Sequence, residues 1–81
     1  MIVKRVYTFI RGQGKLITSE GTIIVSKGDV IVAPTHDKEN REFPLNLTAI
    51  TPLVYEWRYE FFERESIKSI QEQKKSWIWL K

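Results

Sequence analysis

The chain contains no cysteine and a single histidine, His36. Disulfides and cysteine metal sites are excluded, and the composition fits a reducing compartment. Long apolar runs are missing too. Lys4 and Arg5 interrupt the N-terminal apolar segment early, so neither a signal peptide nor a transmembrane helix is expected, and the chain reads as cytoplasmic. No nucleophile–base pair stands out, and no phosphate loop or metal cluster does. The turn RGQGK (Arg11 to Lys15) pairs two glycines with two cations, but it lacks the G-x-x-x-x-G-K-[ST] spacing and the helix a P-loop needs. It reads as a hairpin turn with solvated flanking cations.

What is present is enough for one small folded domain, residues 1–81. The chain is 42% hydrophobic and 12% aromatic, including Trp57, Trp77 and Trp79, which argues against disorder. Such a domain has a thin stability margin, and pairing with a second copy as a homodimer would help. The net charge is +3. Two basic ends flank an acidic segment: Lys4, Arg5, Arg11 and Lys15 near the start, Glu56, Glu60, Glu63 and Glu65 later. Charge matching between neighbouring strands explains this better than a nucleic-acid footprint, which asks for a denser one-sided stripe.

The stretch EGTIIVSKGDVIVAPT (Glu20 to Thr35) gives a hairpin signal. Two β-branched runs, Thr22–Val25 and Val30–Val32, flank Ser26-Lys27-Gly28-Asp29, and Gly28 can take the positive φ of a tight turn. Asp29 is read as a turn residue bonding nearby backbone. Met1–Ile10 is a strand with apolar residues on both parities, hence largely buried. Lys15–Thr18 is a second strand, followed by a turn at Ser19-Glu20-Gly21. Thr35–Arg41 is a polar, mobile loop. Its His36, Asp37 and Glu39 are the candidates for acid/base or metal chemistry, but neighbours on a flexible loop are not preorganised. Pro44 keeps Glu42–Leu47 out of a central strand.

Leu53–Phe62 alternates strictly. Tyr55, Trp57, Tyr59 and Phe61 share one face; Glu56, Arg58 and Glu60 share the other. The aromatic face is expected to pack on the core and the charged face to meet solvent. A binding platform is the competing reading, since bases stack on such rows. Glu63–Lys75 reads as a surface helix with an Ile67/Ile70 stripe, Ser66 as a candidate cap and Lys74 and Lys75 near its end. Ser76–Lys81 returns as a final strand.

Residues 20–60 resemble a set of short bacteriophage and prophage proteins with the pattern EGT…V(S)(P)GD(W/Y)(I/V)I…GE(F/Y)P…(K)PDIFE…YE. The matching residues are Glu20, Gly21, Thr22, Val25, Ser26, Gly28, Asp29 and Ile31, then Glu42, Phe43 and Pro44. Pro52, Val54, Tyr55, Glu56, Tyr59 and Glu60 complete the match. Lys27 stands where that group has Pro, and Leu53 where it has Asp. Asn40 and Arg41 fall where a Gly usually precedes the Glu. The resemblance implies a mobile-element origin and supports the fold; it carries no catalytic residues.

The expected fold is mainly β: a small β-roll or SH3-like barrel of five to seven short strands with one C-terminal helix. The expected function is a non-enzymatic interaction module, without cofactor or metal, that binds a host or viral protein. Trp77 and Trp79 are its candidate partner-binding residues. Two other classes are carried. One is nucleic-acid binding through Lys4, Arg5, Arg11 and Lys15. The other is a small-ligand pocket at a barrel mouth, lined by Trp57, Tyr59 and Trp77.

Overall fold

The computed structural model describes residues 2–73 and 77–80, without the side chains of Ser66, Lys68 and residues 71–73. Met1, Lys74, Lys75, Ser76 and Lys81 lie outside the described residues. With them lie the basic end of the helix and the outer ends of the first and last strands; the expected Ser66 cap is corrected, because the helix already begins at Arg64 and Ser66 falls inside it.

The elements run β1 (Ile2–Arg11), β2 (Gln13–Thr18), β3 (Gly21–Ser26), β4 (Val30–Pro34), β5 (Asn46–Ala49), β6 (Val54–Phe62), α1 (Arg64–Gln73) and β7 (Trp77–Trp79). The protein is mainly β. Its strands form a four-stranded sheet in the order β6-β1-β4-β7 and a three-stranded sheet in the order β3-β2-β5. No helix among the described residues is long and apolar enough to cross a membrane.

Register shows how the two sheets arise. β1 and β2 are halves of one bent strand. The chain reverses at Ser19-Glu20 and returns beside it, with Thr18 opposite Gly21, Gln13 opposite Ser26, Thr8 opposite Val30 and Lys4 opposite Pro34. β5 and β6 line the other side, with Leu16 opposite Leu47, Gly14 opposite Ala49, Arg11 opposite Val54 and Ile2 opposite Phe62. Three bent strands therefore lie side by side, and all turn the same corner: at Gly12, at Lys27-Gly28 and at Thr51-Pro52. β7 adds a parallel strand to β4.

This corrects two expectations about turns. β3 and β4 do not pair with each other, so Ser26–Asp29 is not the tip of a hairpin. The Asp29 N–H donates to the Ser26 carbonyl at 3.0 Å, and Gly28 sits at φ 93°. That is a tight turn fused to a bulge opposite Phe9, whose carbonyl accepts from the Gly28 N–H at 2.9 Å. Asp29 does act as the expected turn residue: its Oδ2 accepts the Ser26 N–H at 2.8 Å. The Arg11–Lys15 segment is likewise a corner inside a strand rather than a reversal. The real hairpin tip is Ser19-Glu20, where the Thr18 hydroxyl bonds the Gly21 carbonyl at 2.9 Å.

The expected barrel is corrected as well: the sheets are open. β6 and β7 end one sheet and β3 and β5 the other, without joining. The corner interrupts both ladders of the bent strands together, and β5, four residues long, is too short to carry pairing around it.

The core follows from the faces. Tyr7, Phe9, Ile31 and Ala33 on the larger sheet pack against Leu16 and Val25 of the smaller one, with Phe43, Leu45, Leu47 and Leu53 around them. On the opposite face of the larger sheet, Val6, Val32 and Phe62 are covered by Ile67 and Ile70 of α1 and by Trp77 and Trp79. β1 is apolar on both parities because it is a central strand buried on both faces.

Candidate functional site

β6 is where the structure departs furthest from its expected burial. Its aromatic face is exposed: Trp57 is 51% exposed, Tyr59 53% and Phe61 65%, whereas Phe62 on the other face is buried. The expectation that this row fills the core is thereby overturned. Cross-strand pairing puts Tyr55, Trp57, Tyr59 and Phe61 opposite Phe9, Tyr7, Arg5 and Val3, so the row does share the inner face of the sheet. However, β6 is an edge strand of its sheet, paired among the described residues on one side only, with β1. The core cluster against the smaller sheet takes Tyr7 and Phe9 of β1 and Ile31 and Ala33 of β4 from that face, and none of the β6 row.

The exposed row is built around Arg5. Tyr7 and Arg5 lie two apart on β1 and so point the same way. The Arg5 guanidinium lies over the Trp57 ring at 5.2 Å and the Tyr59 ring at 5.6 Å. Its Nη1 meets Glu42 Oε1 at 2.8 Å. Contacts with Tyr7, then Glu42 and Tyr59, hold its pKa above the ordinary arginine value. Its Nε is buried with no hydrogen-bond partner among the described residues. Trp57 and Tyr59 meet edge to face, at 5.4 Å and 89°, a favourable aromatic geometry. Beside them Tyr55 packs on Tyr7 at 6.0 Å and Phe9 at 5.6 Å, tying the row to the core. A hollow of about 470 Å³ runs between this row and the chain at Glu42–Leu45.

That chain leaves a hydrogen-bonded turn formed within the polar loop Thr35–Arg41. Asp37 is its hub: Oδ1 accepts the N–H groups of Glu39 and Arg41, each at 2.9 Å, and Arg41 also ion-pairs with Glu39. His36 bridges to Glu42, and Phe43 N–H donates to Thr35 at 3.2 Å. The turn thus fixes Glu42 where Arg5 can reach it. Among the described residues, His36 Nδ1 has the neighbouring Thr35 hydroxyl as its hydrogen-bond partner, at 3.1 Å. The Asp37 carboxylate is engaged within its own loop, Oδ1 by backbone N–H groups and Oδ2 by Arg41 at 3.5 Å.

The other sequence candidates separate. Trp77 and Trp79 are half-buried in the cluster under α1, Trp79 meeting Phe62 at 5.7 Å. Register carries Trp77 through Val30 and Thr8 to Glu56. Trp77 therefore lies on the opposite sheet face from Trp57 and Tyr59, and the three do not line one pocket. Lys4 and Arg5, adjacent on a strand, point to opposite faces; Arg11 and Lys15 lie at and beyond the corner. The four cations make no common stripe. Sequence reading grouped Arg5 with them and missed its role, because its partner Glu42 is remote in the chain and no local spacing signals the pair. Comparison with protein-family models, curated proteins and solved structures gives no match for this chain.

Proposed function

We propose that the protein is a small non-enzymatic interaction module, phage or prophage encoded, that acts in the host cytoplasm by binding a host or viral protein as an inhibitor or accessory factor. One observation carries this reading: a row of exposed aromatics on an edge strand, stacked against an arginine. Tyr, Trp and Arg are the residues that dominate protein-binding energetics, and large aromatics left at the surface of so small a domain mark a contact site. The row of Tyr55, Trp57, Tyr59 and Phe61 with Arg5 replaces Trp77 and Trp79 as the proposed docking surface.

Affinity capture from bacterial lysate tests it. A Trp57→Ala/Tyr59→Ala protein is expected to retain its fold and to lose specific capture by tenfold or more, about what removing one or two binding hot spots costs. Equal capture by this variant and the parent protein would remove the row as the docking surface.

A further inference from the structure

We propose that β6 is also a self-association edge, on which a second copy of this chain pairs antiparallel about a two-fold axis at Trp57. This rests on reading β6 as a docking strand, and it names one occupant for that strand's open backbone. Three observations support it.

The first is backbone direction. The Phe9 N–H donates to Asp29 and the Phe9 carbonyl accepts from Gly28. Phe9 therefore turns its main chain toward the β4 side, and by alternation so do Tyr7, Arg5 and Val3. The remaining β1 residues, Thr8, Val6, Lys4 and Ile2, bond β6 through Glu56, Arg58, Glu60 and Phe62. Val32 gives an independent check: it lies opposite Val6, and its carbonyl is turned the other way, to Leu80 N–H at 2.9 Å. Tyr55, Trp57, Tyr59 and Phe61 consequently present their N–H and carbonyl groups to the open edge. β6 is nine residues long and contains no proline. It is thus a free template for strand addition.

The second is charge. Centring the pair on Trp57 sets Glu56 opposite Arg58 of the second copy, twice by symmetry. These fall at the closer, non-hydrogen-bonded positions, where side chains meet best. Centring on Arg58 instead would oppose Arg58 to itself and Glu56 to Glu60, which is repulsive. Centring on Tyr59 would also match charges, through Arg58 and Glu60, but would bring the second copy against Phe62, two residues before α1 begins. The Trp57-centred register spans residues 54–60 and stays clear of the helix.

The third is what pairing completes. Tyr55 falls opposite Tyr59 of the second copy, and Trp57 opposite Trp57. Two aromatic rows, each flanked by an Arg5, then join into one continuous face.

Sedimentation or light scattering of the full chain tests the proposal. The parent protein is expected at twice the chain mass. Glu56→Arg and Arg58→Glu, both at exposed positions, are each expected to weaken association by about tenfold or more, since each places like charges opposite at two symmetric sites. An equimolar mixture of the two variants is expected to restore dimers, because every Arg then faces a Glu. Circular dichroism melting checks that both remain folded. A parent protein that is monomeric throughout, a Glu56→Arg protein that associates like the parent, or a mixture that stays monomeric would each overturn the proposal. A monomeric parent that still captures a partner through Trp57 and Tyr59 would remove only the pairing and leave the interaction module standing.

Discussion

A Gly12→Ala protein is expected to lose about 3 kcal/mol of folding free energy, a large share of what a domain of this size has to lose. Two effects add. Gly12 sits at φ 89°, where an L side chain is strained. A Cβ there would lie 2.0 Å from the Pro52 carbonyl oxygen, which is backbone and cannot swing aside. Gly12 and Pro52 meet because two strands turn the same corner together: the Gln13 carbonyl takes the N–H groups of Ile50 and Thr51, at 2.9 and 3.1 Å, on the far side of the bend. Gly28→Ala is the control. Its φ of 93° is as unfavourable, but nothing lies within 4 Å of its Cβ direction. It is expected to cost only about 1 kcal/mol, the strain alone. Urea denaturation compares the two midpoints at constant m. If Gly12→Ala proves no worse than Gly28→Ala, the close approach at the corner is wrong.

Phe9→Ala is the second large effect, expected at about 3–5 kcal/mol. Phe9 is fully buried at the centre of the main cluster, and it is also the residue that the Gly28 bulge closes on. Truncation leaves a cavity whose walls come from both sheets, so it cannot collapse by moving one element. Phe61→Ala provides the contrast. Phe61 is just as large but mostly exposed, and its loss is expected to stay within about 0.5 kcal/mol, as for ordinary surface changes. Had the aromatic row of β6 been core, the two substitutions would cost alike, so thermal or urea unfolding of the pair tests the inverted burial directly.

The candidate site was legible in part. The strict alternation of Tyr55, Trp57, Tyr59 and Phe61 marked one strand and one shared face, and β6 has both. Which way that face looks was not legible. Period-2 alternation separates two faces of a strand but does not say which is covered, because that depends on how far a neighbouring sheet extends. Here the core between the sheets takes side chains of β1 and β4 but none of the β6 row, so the aromatics of the edge strand stand in the open. The same holds for Arg5. Its position near the N-terminus suggested a solvated cation. Only the turn held by Asp37, which delivers Glu42, and the pairing that brings Trp57 and Tyr59 alongside give it partners.

The amino-acid sequence by itself determined the local material of this protein. β-Branched and aromatic runs specify strands, Gly specifies positive-φ turns and Asp a side-chain bond to turn backbone, and apolar residues on both parities of β1 specify a strand buried twice. These are short-range consequences of side-chain stiffness and backbone sterics, so they can be read residue by residue. The tertiary structure alone decided what each turn does. Ser26–Asp29 has the chemistry of a hairpin tip, yet it became a bulge within one bent strand, because β1 and β2 offered a partner long enough to continue past it. That choice depends on pairing with residues far away in the chain. It produced two open sheets in place of a barrel, and it left β6 as an edge with its aromatics exposed.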